Sequence, residues 1–100
     1  MLEYFKKLLC DELDGAKEYV KLALEFKSTY PEWAKMFLDM SAMELSHAAN
    51  IYRMSSESYN STVKAYNEPP KWIEDMWEHM VDMYAEKTSK VKYMHEMYSK

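Results

Sequence analysis

The sequence predicts an all-α fold, and three observations carry that prediction. Only one glycine and three prolines occur in 100 residues, too few turn residues for a succession of β-hairpins. Apolar side chains recur in alternating steps of four and three along three long segments, the period of helices that pack lengthwise on one another. Between those segments stand Pro31 and the pair Pro69-Pro70, which delimit helices rather than continue them. The expected helices cover about residues 2–27, 31–57 and 70–98 of a single domain spanning 1–100, since a chain this short holds one core.

The first helix carries the stripe Phe5, Leu9, Glu12, Ala16, Tyr19, Ala23, Phe26. Glu12 interrupts it, and Gly15 and Ala16 follow. A glycine inside a helix costs about 1 kcal/mol relative to alanine, so Gly15 points to a close neighbour. Thr29 and Glu32 stand in capping-box spacing around Pro31, which suits a first helical turn. So tight a connection makes helices one and two an antiparallel hairpin.

The second stripe reads Trp33, Phe37, Met40, Glu44, His47, Ile51, Met54. Ser55 to Asn67 is rich in Ser and Asn and reads as a frayed end or a loop, although Tyr59 and Val63 keep the helical phase. The third stripe is Ile73, Trp77, Met80, Tyr84, Lys87, Val91, Met94, Tyr98. Lys87 on it either snorkels or meets a carboxylate across an interface. His79, Glu86 and His95 are expected on the charged surface or rim, and Cys10 as a small apolar side chain.

Composition excludes several function classes. A net charge of −4 disfavours nucleic acid, whose binding needs a basic face. No apolar run approaches the ~18 residues of a membrane span. The opening Met-Leu-Glu-Tyr-Phe-Lys-Lys lacks the apolar heart of a signal peptide, and the single cysteine makes no internal disulfide. A cytoplasmic location is the expectation. The ten methionines and nine tyrosines read as helix-packing filler.

The chemistry centres on three residues. Glu44 and His47 stand three apart, on one face of a helix and one turn from each other. Glu12 lies seventeen positions before residue 29 and Glu44 fifteen after it, so an antiparallel hairpin sets them at nearly one height. A buried carboxylate costs several kcal/mol unless it is neutralised. Neither stripe offers Lys or Arg nearby, so Glu12, Glu44 and His47 together call for a cation. Carboxylates with imidazole suit Fe, Mn or Zn. Helix-bundle sites for two metals take a Glu from each of two helices and Glu-x-x-His from each of two others. One hairpin supplies half of that set, and a homodimer about a two-fold axis supplies all six ligands.

These residues carry a family resemblance. Leu9-Cys-Asp-Glu12-Leu-Asp-Gly-Ala16-Lys-Glu-Tyr19 resembles the first ligand helix of ferritin-like proteins such as bacterioferritin and rubrerythrin. Glu44-Leu-Ser-His47-Ala48 resembles their second. The 32 residues from Glu12 to Glu44 are close to the family's spacing, and the likeness covers about residues 5–55. The resemblance implies a ferritin-like four-helix core completed by homodimerisation, with Glu12 a terminal ligand, Glu44 a bridging one and His47 a nitrogen ligand. It places Tyr19 beside the site as a hydrogen-bonding neighbour and makes Glu44 and Tyr19 the catalytic candidates. The implied cofactor is iron, two per dimer, with manganese the alternative, and the implied activity is oxidation of Fe(II) by O₂ or peroxide. Helix three lacks the second Glu-x-x-His of a full ferritin-like domain. The half-domain arrangement is therefore similar to that of encapsulated ferritins, which dimerise two-helix subunits to build the di-iron site. Storage of iron would require an enclosing shell or protein partner, which the sequence leaves open. A peroxidase or oxygenase on the same ligands is one rival reading. A helical interaction module, its polar stripe residues fixing register and dimer state, is the other.

Overall fold

A computed structural model describes residues 1–100 as three helices, α1 (Leu2–Phe26), α2 (Pro31–Ala65) and α3 (Lys71–Ser99). The α1–α2 pair is the antiparallel hairpin that the short turn dictates. The third helix runs parallel to α1: Cys10 meets Met83, Asp14 meets Lys87 and Lys27 reaches the Tyr98 carbonyl. The result is a rod of 57 × 16 × 16 Å. No helix is long and apolar enough to cross a membrane.

The cap of α2 is Tyr30, not Thr29. Proline disfavours helical backbone angles in the residue before it, so Pro31 at the first helical position keeps Tyr30 out of the helix, as its non-helical cap (φ −136°, ψ 71°). The Thr29/Glu32 capping box is thereby out of register. Tyr30 stacks on Trp33 instead, ring centroids 4.2 Å apart.

Helix α2 also continues past residue 57 to Ala65. Its hydroxyls pose no obstacle there, because Ser55 donates to the Ile51 carbonyl and Thr62 to that of Ser58. Tyr59 adds a packing reason, stacking on Trp77 of α3 at 5.1 Å. Trp77 in turn stacks on Tyr52, and Tyr52 on Tyr84 at 4.1 Å. This aromatic column joins α2 to α3 at that end of the rod.

The core sits among Leu2, Leu9, Leu13, Ala48, Ile73, Met80 and Met83, with a smaller group of Ala16, Val20 and Val91 beyond it. On α2 the buried side chains are Ala34, Ser41, Ala48 and Ser55, a strict seven-residue repeat of small residues that lets α1 approach closely. The large residues of the expected stripe lie one position round the helix. Trp33 is 51% exposed and Met54 47% exposed, while Phe37 stacks on Phe26 of α1 and Ile51 packs against the core, so that stripe runs along the edge of the hairpin, half turned outward. Both small and large faces satisfy the same four-three spacing, and the small one turns inward against α1 and α3, where Ser41 meets Ala16 and His95. The third stripe matches its expectation, with Ile73, Met80 and Val91 buried and Lys87 paired with Asp14 at 2.6 Å.

Candidate metal centre

Glu12 on α1 and Glu44 and His47 on α2 come together on the open flank of the hairpin. One ligand atom from each lies within 4.8 Å of the others. The His47 Nδ1 is 3.5 Å from the Glu12 Oε2 and 3.9 Å from the Glu44 Oε1. The carboxylates are half-buried, and the imidazole is half-exposed. No Lys or Arg pairs with either glutamate; His47 is the ion-pair partner of both.

The local sequence explains the convergence. Gly15 stands one turn beyond Glu12, and a β-carbon there would lie 3.3 Å from the Glu44 Oε2. The missing side chain is the notch into which the Glu44 carboxylate leans. Gly15 has ordinary negative-φ helical backbone, so its role is space and not turning.

The electrostatics are those of two carboxylates crowded together beside one imidazole. The Glu44 carboxyl is held above the ordinary value of 4.5, first by its hydrogen bond with Glu12, then by burial and by the negative charge of Glu12, while His47 pulls it back down. That hydrogen bond needs a proton on one of the two carboxyls. With both ionised, the buried Glu12 Oε2 has no donor at all. An acceptor-only atom, sealed from water and flanked by a second carboxylate and an imidazole, is the donor set of a hard or borderline divalent cation. The residues fit iron.

Of the other candidates, Tyr19 is half-buried and stacks on Phe37, centroids 6.3 Å apart. None of the side-chain hydrogen bonds between helices involves it. Glu86 and His79 are exposed on α3. His95, expected at the rim, reaches inward to Ser41 at 2.9 Å. Neither Ser41 nor His95 stands out in the sequence as functional. The signal available for Ser41 was its place in the repeat of small residues at 34, 41, 48 and 55.

No curated protein and no solved structure matches the chain. A family model does: Rubrerythrin, over residues 4–100. The match takes in all three helices, α3 included, whereas the likeness in the ligand motifs stops near residue 55. It unites the carboxylate–histidine cluster with a family of ferritin-like di-iron carboxylate proteins. The chain belongs to the rubrerythrin family.

Proposed function

We propose that the protein binds a pair of iron ions at a site completed by a second copy of the chain, and oxidises Fe(II) there with O₂ or peroxide. The observation that carries this reading is the buried Glu12 Oε2, unpartnered and turned toward His47 and Glu44. Glu12, Glu44 and His47 would hold the metal, with Glu44 in the bridging role. Iron in such a site supplies the one-electron redox chemistry, Fe(II) going to Fe(III). The chain's own groups supply two negative charges, which favour the higher charge of the oxidised ion, and an imidazole nitrogen.

The second copy is supported by the incompleteness of the ligand set and by what surrounds it. Three ligands from one chain are half of the six that helix-bundle di-iron sites use. The flank that bears them also bears Trp33, Met36, Met40 and Met43, which are 51%, 64%, 39% and 59% exposed. An apolar band of this kind, continuous with the polar site, suits a two-fold interface that would bury both. Mass measurement in solution tests the pairing.

The experiment for the function has two readouts. Purified protein incubated anaerobically with Fe(II) is expected to take up about one iron per chain, and exposure to O₂ to give the ultraviolet absorbance of Fe(III). Glu44→Ala and His47→Ala should lose both. Protein that stays metal-free refutes the site. Iron uptake with oxidation accelerated by neither O₂ nor hydrogen peroxide refutes the activity alone.

A further inference from the structure

Ser41 is fully buried, and its hydroxyl has an unusual destination. It crosses to α1 and donates to the Ala16 carbonyl at 2.6 Å. Ser55, two repeats along the same buried stripe and equally buried, does the ordinary thing and bonds within its own helix, to Ile51 at 2.8 Å. The other members of the stripe are Ala34 and Ala48. Close packing at this face therefore needs only a small side chain, and the Ser41 hydroxyl is surplus to it.

The proton count fixes the direction of the remaining contact. A serine hydroxyl has one hydrogen, and Ser41 spends it on Ala16. The 2.9 Å contact with His95 Nε2 must then run the other way, with Nε2–H donating to the Ser41 oxygen. Burial pushes the His95 imidazole below its ordinary value, which favours the neutral ring, and the contact with Ser41 assigns that ring's hydrogen to Nε2. One directed chain thus ties all three helices: His95 of α3 to Ser41 of α2 to Ala16 of α1. Hydrogen bonds in series strengthen one another in a dry interior.

This chain sits beside the metal centre. Ser41 is three residues before Glu44 and Ala16 four after Glu12, so each end is about one helical turn from a ligand. A slip of one helix along the other by a single residue moves it about 1.5 Å, enough to break a 2.6 Å bond and to part the two carboxylates. Metal–ligand bond lengths in genuine sites fall within about 0.2 Å of their standard values, so a one-residue slip is far more than the ligand set absorbs without rearranging. We propose that Ser41, held by His95, is a positioning residue that locks the α1–α2 register so that Glu12 and Glu44 meet at one height. It also gives α3 a part in the site although α3 supplies none of the three ligands. The inference rests on the metal-binding reading above.

The test uses Co(II) as probe in the full chain, following its d–d absorption, with the melting temperature of the metal-free protein taken in parallel. Ser41→Ala and His95→Leu are expected to weaken Co(II) binding about tenfold, the lower range for residues that orient ligands, and to alter the band shape. His95→Gln, which keeps an N–H donor at a similar reach, is expected to restore both. Ser55→Ala, an equal deletion in the same stripe, should leave affinity and spectrum at parental values even where it lowers the melting temperature. Parental Co(II) affinity and spectrum in Ser41→Ala would overturn the inference alone. So would equal losses in Ser41→Ala and Ser55→Ala, or a ¹⁵N spectrum of the metal-free parent showing the hydrogen of His95 on Nδ1. A parent that binds no Co(II) would overturn the metal reading and this inference together.

Discussion

The Oε2 of Glu12 lies 3.5 Å from the Nδ1 of His47, buried and without a hydrogen-bond donor. That distance is too long for a good N–H···O bond, yet it is a separation at which both atoms can reach one ion at bond lengths of about 2.0–2.2 Å. A divalent ion bound there gives Glu12 its missing partner, and a ligand that binds only the folded state stabilises it. The melting temperature of chelator-treated protein should therefore rise with added Fe(II) under anaerobic conditions, or with Co(II). At a metal concentration a hundredfold above Kd the gain is about 2.7 kcal/mol. Glu12→Ala should show no such rise, and calorimetry with and without chelator reads the difference.

Gly15→Ala separates stability from function. A β-carbon at position 15 meets the Glu44 Oε2 at 3.3 Å, and the far end of a flexible, half-exposed side chain yields easily. Removing a helical glycine gains up to about 1 kcal/mol. The metal-free variant should melt higher than the parent, while the displaced carboxylate binds Co(II) more weakly. Denaturant unfolding and Co(II) titration of the same sample check the two opposite signs.

The Glu44 carboxyl sets a pH dependence in the metal-free protein. Its folded-state value is raised above the ordinary 4.5, so in that window the folded state holds more protons than the unfolded one. Stability is then lost as pH rises through the raised value, and is fully present below 4.5. Glu44→Gln mimics the protonated form, so its advantage over the parent should grow from near zero below that window to a plateau above it. Saturating Co(II) should abolish the parent's loss, because the metal replaces the proton. Urea midpoints from pH 4 to pH 8 supply the comparison.

Met40→Lys tests the open flank. Met40 is 39% exposed in the single chain, so a lysine there costs the three-helix unit little, within about 0.5 kcal/mol for a surface change. A second copy seated on this flank would meet an unpaired charge. Sedimentation should show a monomer of unchanged helicity, and metal uptake should fall with the loss of the pair. By contrast Leu9→Ala, in a fully buried position, should cost 2–5 kcal/mol and unfold much of the population.

Much of this was readable from residues alone, for a physical reason. Proline placement and the four-three spacing fix helices almost locally, and antiparallel geometry then sets Glu12 level with Glu44 by counting from the turn. Which face of α2 turns inward was not readable. The large stripe from Trp33 to Met54 and the small stripe from Ala34 to Ser55 share one period, and only tertiary packing against α1 and α3 chooses between them. The end of α2 was obscured because Ser and Asn disfavour helices in isolation, while Tyr59 against Trp77 holds this one by tertiary contact. The inward reach of His95 was hidden because its partner Ser41 lies 54 residues away.

The slender shape has a consequence for how the chain exists at all. A rod only 16 Å across keeps just 14 of its 100 residues from water, a thin interior to set against the entropy of ordering the backbone. If a second copy covers the open flank and iron closes the site, both enter the folding equilibrium as reactants. The melting temperature then becomes a function of protein concentration and iron supply, and cells short of iron would hold less of this protein folded.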